Sequence, residues 1–170
     1  MMQTSRKCSK MSGDERGFVI DTNVIVGAFF YERNYPQIRN KQAVLRKCRL
    51  ILDLVKGKNV AIPRVAVVEV ISVVKRISGD TSLAIRLGNA VEASFEVVSE
   101  EEIYGIAKET ASLVAPSGFD TYFLALALMK GYSLITRDKA LCSHSKDLNV
   151  PCLLIDESTD DKMIKEFLGV

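Results

Sequence analysis

The sequence is poor in residues that commonly bind zinc. Among its 170 residues there is one histidine, His144, and there are four cysteines, Cys8, Cys48, Cys142 and Cys152. The cysteine spacing forms no CxxC pair and no zinc-ligand pattern, so a zinc site is not expected. Because the sequence shows no secretory signal, the four cysteines are expected to be free thiols in a reducing cytoplasm.

Long hydrophobic runs are also missing. No apolar stretch reaches the ~18 uncharged residues of a membrane helix, and residues 1–16 are basic and polar, unlike the apolar segment of a secretory signal. We therefore expect a cytoplasmic protein that does not contact a membrane, with residues 1–16 as a basic, disordered leader. With 48% hydrophobic and 26% charged residues overall, residues 17–170 are long enough for a single domain with a buried core.

The net charge of +2 is unevenly distributed along the chain. Residues 31–58 contain eight basic and two acidic side chains. Such a segment either contacts a polyanion or forms a solvated helix face. If it contacts a polyanion, Arg46, Lys47 and Arg49 are the candidate residues.

Asp21 is the only charged residue in the apolar segment 17–30. The pattern predicts that it lies where a buried strand ends and a buried helix begins. An ionised, unpaired carboxylate in such surroundings is costly, so it needs a proton, a cation or backbone N–H donors. Aspartate is also a favoured helix N-cap, and this is the structural alternative to a functional role.

Short apolar runs alternate with amphipathic stretches after residue 17. The predicted strands are 18–21, 59–62, 95–98, 132–136 and 152–155, and the predicted helices include 41–56, 64–77, 82–92, 120–130 and 158–168. A further helix begins after Ser99 with three successive glutamates, which the helix dipole favours. Strands that alternate with helices predict a parallel sheet with helices on both faces.

Three more acidic residues are expected at the edge of the sheet where Asp21 lies. Glu69 is the only charge in residues 65–74, which otherwise read as a helix buried on all sides; an exposed position on that helix is its alternative. Asp120, with Ser117, also matches a capping box. Asp138 follows the fourth strand and also suits an N-cap for a helix over 139–144.

Four converging carboxylates repel one another and raise each other's pKa unless a cation joins them. Oxygen ligands suit a hard divalent ion, Mg²⁺ or Mn²⁺. Asp21, Glu69, Asp120 and Asp138 are therefore the candidate metal ligands and catalytic residues of a site that hydrolyses phosphodiester bonds.

In this order and spacing, the motifs resemble the PIN domain family. The resemblance rests on Asp21-Thr22-Asn23-Val24 after an apolar strand, the helical Glu69, Asp120 before an apolar helix, and Thr136-Arg137-Asp138 at the end of a strand. It covers roughly residues 17–156 and implies an α/β fold, a three-layer α/β/α sandwich with a five-stranded parallel sheet in the order 3-2-1-4-5. It also implies that the four acids form the metal site and that Asn23 and Thr136 support it.

The resemblance further implies a Mg²⁺- or Mn²⁺-dependent endoribonuclease, with RNA as the substrate that Arg46, Lys47 and Arg49 would contact. At this length the chain is similar to VapC-type toxins of toxin–antitoxin pairs, which implies a homodimer and a small antitoxin partner. The alternatives are a housekeeping RNA-processing nuclease and a non-catalytic PIN module that binds RNA or protein.

Other chemistries fit the residues less well. A haloacid-dehalogenase-like phosphatase needs a second acid two residues after the first, and here that residue is Asn23. A Ser-His-Asp hydrolase needs a nucleophile elbow, and none accompanies His144. Metal-independent RNA cleavage typically uses two histidines, and no glycine-rich phosphate loop is present.

Overall fold

The computed structural model describes residues 16–170. The predicted leader lies outside this range except for Arg16. The division of the chain into a leader and one domain therefore stays a prediction.

Within residues 16–170, five strands form one parallel sheet in the order β3-β2-β1-β4-β5. The strands are β1 Gly17–Ile20, β2 Asn59–Pro63, β3 Glu96–Val98, β4 Ser133–Thr136 and β5 Cys152–Leu154. The central strand β1 is buried along its whole length, as expected when helices cover both faces of a parallel sheet. The fold class and the strand order implied by the resemblance are confirmed.

Eight α-helices occur in the same residues. They are α1 Thr22–Phe30, α2 Gln42–Leu54, α3 Arg64–Ser78, α4 Thr81–Ser94, α5 Glu100–Val114, α6 Gly118–Lys130, α7 Lys139–Asp147 and α8 Asp161–Leu168. Because crossovers between parallel strands are right-handed, α1 to α4 cover one face of the sheet and α5 to α7 cover the other. Helix α1 accordingly contacts α2 and α3, and α6 contacts α5 and α7.

Local sequence signals explain where these helices begin and end. Ser99 and Glu102 form a capping box at the start of α5. Gly131 ends α6 in the left-handed conformation with φ 66°, which glycine adopts without a steric penalty. No single helix among the described residues is long and apolar enough to span a membrane; α5 and α6 meet that criterion only as a pair, which is bent by 113° at the break.

The prediction that α3 is buried on all sides is wrong. Val70 and Val74 are fully buried, but Val68 is 63% exposed. The helix packs one face against α1 and α4 and leaves another in solvent. An apolar composition therefore did not indicate complete burial.

The prediction of four free thiols is also wrong for two cysteines. Cys142 on α7 and Cys152 at the start of β5 form a disulfide, with their Cα atoms 5.8 Å apart. Cys48 on α2 is a free, buried thiol, and Cys8 lies outside the described residues. The cysteines consequently no longer support the prediction of a reducing compartment.

Candidate active site

The carboxyl ends of β1 and β4 adjoin at the point where the strand order reverses. The chain leaves β1 toward β2 on one side, whereas β4 and β5 lie on the other side. Open parallel sheets bind their ligands in the crevice that forms at such a point. Asp21 follows β1, and Asp138 lies two residues after β4.

Asp21 occupies the N-cap position of α1, but its side chain makes no capping hydrogen bond. Its Oδ2 atom instead accepts hydrogen bonds from Thr136 Oγ1 and Asn23 Nδ2, each at 2.6 Å. The N-cap alternative therefore does not explain the aspartate. The two side chains that hold Asp21, those of Asn23 and Thr136, are the ones that the family resemblance implied would support the site.

Asn23 and Thr136 also position the chain beyond β4. Asn23 Oδ1 accepts the backbone N–H of Arg137 at 3.0 Å, and Thr136 Oγ1 accepts that of Asp138 at 2.9 Å. Thr136 is completely buried. Two short polar side chains thus connect the first turn of α1 to the residues that carry the next acid.

Asp21 is 6% exposed, and this burial raises its pKa to about 6. The Thr136 hydrogen bond lowers the pKa, whereas the negative charges of Asp120 and Glu69 raise it. Burial disfavours the ionised form of a carboxyl group, and nearby like charges do the same. Three acids therefore interact electrostatically at this site.

Glu69 and Asp120 are each held by a neighbouring hydroxyl group. Thr22 Oγ1 donates to Glu69 Oε2 at 2.7 Å, which joins the first turn of α1 to the second turn of α3. Ser117 Oγ donates to Asp120 Oδ2. Because the Ser117 side chain makes no capping bond to the α6 backbone, the capping box that the sequence suggested does not form.

Asp138 is the N-cap of α7. Its Oδ1 atom accepts the backbone N–H groups of Ala140 and Leu141 at 2.7 and 3.0 Å. The structural alternative is therefore confirmed for this residue. Asp138 nevertheless lines the same cavity as the other three acids.

That cavity, called the acidic cavity below, has a volume of about 540 Å³. Its walls include Asp21, Glu69, Asp120 and Asp138, together with Arg76, Arg137 and Phe119. The structure thus brings all four predicted acids together at one edge of the sheet.

The chemistry of these donors fits a hard divalent cation. All four are carboxylates, and the buried Asp21 carries a charge that a cation would stabilise. Among residues 16–170, however, no three His, Cys, Asp or Glu side chains stand close enough to form a ready-made metal cluster. Binding would therefore involve small side-chain movements or bridging water molecules, several of which Mg²⁺ usually keeps.

None of the three predicted RNA contacts lines the acidic cavity. Arg46 forms a bidentate ion pair with Asp161, and Arg49 pairs with Asp53. Lys47 is only 8% exposed, and its Nζ atom donates to the backbone carbonyls of Asp156 and Glu157 at 2.7 and 3.0 Å. The structure corrects the role of Lys47, whose ammonium group holds the loop before α8.

Arg76, Arg137 and Phe119 are the charged and aromatic residues of the acidic cavity that were not predicted from the sequence. Signals for them were present in the sequence. Arg76 lies seven residues, about two helical turns, after Glu69. Arg137 and Phe119 are each adjacent to a predicted acid.

Comparison with protein families gives one match. The model of the PIN domain matches residues 18–146, a range that contains all four acids of the cavity. The comparison with curated proteins found no match.

Solved structures share the fold at low sequence identity. One match is a chain of the VapBC2 complex from Rickettsia felis, which was solved bound to a DNA fragment from its promoter. The TM-score is 0.59 and the sequence identity is 14%, and the match covers 82% of this chain and 99% of that chain. One chain of a toxin–antitoxin complex from Klebsiella pneumoniae matches with a TM-score of 0.54 and 16% identity, covering 82% and 98%. At these identities the likeness concerns the fold alone.

Proposed function

Because this chain belongs to the PIN domain family, we propose that it is a divalent-metal-dependent endoribonuclease whose active site is the acidic cavity. The observation that carries the proposal is the buried Asp21, whose pKa rises to about 6 in a cavity shared with three more carboxylates. The cost of keeping such a group ionised is accounted for if a cation binds there.

The residues of this chain hold each carboxylate in place. Asn23 and Thr136 hold Oδ2 of Asp21 through side-chain hydrogen bonds. Oδ1 of Asp138 faces the α7 backbone. Asp21, Glu69, Asp120 and Asp138 would hold Mg²⁺ or Mn²⁺, which when bound supplies activation of water and stabilisation of charge on the leaving oxygen.

This chemistry does not need the ribose 2′-hydroxyl as a nucleophile. The products are therefore expected to carry 5′-phosphate and 3′-hydroxyl ends. The choice of RNA as the substrate is supported by membership of the PIN domain family and does not follow from the acids themselves.

Incubating the protein with RNA and Mn²⁺, with and without EDTA, tests the proposal. We expect cleavage with Mn²⁺, none with EDTA, and none by Asp21→Asn. The matched control is Asp80→Asn, because Asp80 caps α4 and does not line the acidic cavity. Products with 2′,3′-cyclic phosphates, or an active Asp21→Asn protein, would contradict the proposal.

We further propose that the chain is the toxin of a toxin–antitoxin pair and forms a homodimer. The likeness to folds solved in toxin–antitoxin complexes supports the toxin assignment, whereas the homodimer rests on the resemblance to VapC-type toxins alone. Expression in bacteria should then arrest growth, while Asp21→Asn and co-expression of a small partner protein should relieve the arrest. Normal growth with an active nuclease would instead favour an RNA-processing enzyme, and RNA binding without cleavage would favour a non-catalytic module.

A further inference from the structure

We propose that Phe119, Arg76 and Arg137 bind an unpaired nucleotide segment of the RNA, with Phe119 stacking on a base and the two guanidinium groups contacting phosphates. This inference rests on the proposed nuclease function and assigns the residues of this chain that would contact the RNA strand beside the scissile phosphate. The three residues line the acidic cavity beside the four carboxylates.

Phe119 is an aromatic side chain placed where a base could reach it. It lies in the first turn of α6, directly before Asp120, and is 57% exposed. Aromatic rings in nucleic-acid-binding grooves stack on bases of any sequence, and basic side chains in the same grooves contact the phosphates. Bases inside a duplex already stack on each other, so such a ring selects an unpaired segment.

Arg76 shares a helix face with one of the acids. Glu69, Ser72, Val73 and Arg76 all line the cavity, and their spacing is that of one face of α3. Arg76 lies about 10 Å from Glu69 along the helix axis. Within the described residues its guanidinium group forms no ion pair or hydrogen bond, whereas Arg46 and Arg49 are both paired.

Arg137 approaches the cavity from β4. Its backbone N–H is held by Asn23 Oδ1 at 3.0 Å, but its buried Nε has no hydrogen-bond partner among the described residues. None of the four acids that share the cavity forms an ion pair with it. The buried Nε is out of reach of an RNA strand, but Arg137 as a whole is half-buried and lines the cavity. Phosphate oxygens match the guanidinium fork.

The arrangement separates two kinds of charge. The carboxylates would hold a cation that faces the scissile phosphate, while the arginines remain available for other phosphates of the strand. Arginines paired with these carboxylates would compete with a cation for them.

Binding of a labelled single-stranded RNA oligonucleotide tests this inference, measured by fluorescence anisotropy over a salt series. All variants are made in full-length Asp21→Asn protein, so that the RNA stays uncut. Phe119→Ala should weaken binding about tenfold, and Phe119→Tyr should restore it. The matched control is Tyr104→Ala, because Tyr104 is 56% exposed and lies outside the acidic cavity.

Arg76→Gln and Arg137→Gln should each weaken binding and reduce the slope of log K against log salt by about 0.7, the value for one phosphate contact on a single strand. Arg86→Gln makes the same charge change on α4 and should leave the slope unchanged. Urea unfolding checks that each variant is folded. If Arg137→Gln does not fold, Arg76→Gln still tests the inference, because Arg76 is exposed.

The duplex of the same sequence should bind more weakly and be insensitive to Phe119→Ala. Equal RNA affinities of the Phe119→Ala and Tyr104→Ala variants would overturn the inference. It would also be overturned if Phe119→Ala weakened duplex binding as much as it weakens single-strand binding. A change in oligomeric state with unchanged RNA affinity would assign Phe119 to a protein interface and also overturn it. If the expected binding pattern appears but wild-type protein does not cleave RNA, the nuclease proposal fails and this binding site stands.

Discussion

Asp21 is a buried carboxylate whose local support comes from two neighbouring side chains. Thr136 and Asn23 donate to one of its oxygens, and yet burial still raises its pKa to about 6. Two neutral donors therefore do not fully compensate for the loss of water. This remaining cost is the reason to expect a cation at the same position.

The Asp21→Asn variant should be more stable than the wild type in EDTA at pH 8. The folded-state pKa of Asp21 lies above its unfolded value, so its ionisation destabilises the fold progressively from about pH 4 to pH 6. The difference in unfolding free energy should be about 3 kcal/mol at pH 8 and close to zero at pH 4. Urea titrations over this pH range measure it, and a wild type that equals the variant at pH 8 would contradict the burial argument.

Replacing Thr136 with valine should destabilise the protein by about 1–3 kcal/mol, because a buried carboxylate and a backbone N–H each lose a partner. The natural control is Thr110→Val. Thr110 is 1% exposed and its hydroxyl has no hydrogen-bond partner among the described residues, so that change should be neutral or stabilising. Similar losses in both variants, measured by urea unfolding, would show that the Thr136 hydroxyl has no special role.

Helices α2 and α7 each contain a residue that was predicted to be functional and that has a structural role. On α2 the structural role replaces the predicted one, and on α7 the two roles coexist. Lys47 on α2 binds the loop before α8, 109 and 110 residues away in sequence. Asp138 caps α7 and also lines the acidic cavity. The basic segment is thus partly structural, whereas Asp138 combines an N-cap with a proposed metal ligand.

Asp138 variants can separate these two roles. Asparagine caps helices about as well as aspartate, so Asp138→Asn should retain stability but lose cleavage activity, while Asp138→Ala should also lose about 1 kcal/mol of unfolding free energy. Thermal unfolding and RNA cleavage are measured on the same preparations. An active Asp138→Asn protein would show that Asp138 acts only as a helix cap and is not a metal ligand.

Lys47→Met should destabilise the fold by about 1.5–3 kcal/mol, because two part-buried hydrogen bonds from a buried ammonium group to backbone carbonyls are lost. Arg49→Gln should change stability by less than about 0.5 kcal/mol, because its ion pair with Asp53 is exposed. Urea unfolding of both variants checks this contrast. If Lys47→Met is as stable as Arg49→Gln, Lys47 is not a structural residue.

For the whole molecule, alternation of apolar runs predicted the strands and helices, and the family resemblance supplied the strand order. The same reasoning placed four acids at one edge of the sheet, because carboxyl ends of parallel strands meet there. It failed where a contact depends on how the chain is folded and leaves no local sequence signal. Nothing near Lys47 indicates carbonyls more than 100 residues away, and spacing alone does not reveal that Cys142 lies beside Cys152.

The central claim is that the four carboxylates share a divalent cation, and titration calorimetry with Mn²⁺ tests it without any RNA. Wild-type protein and Asp80→Asn should bind Mn²⁺, and Asp21→Asn should bind it far more weakly. Equal binding by Asp21→Asn, or no binding by the wild type, would contradict the claim.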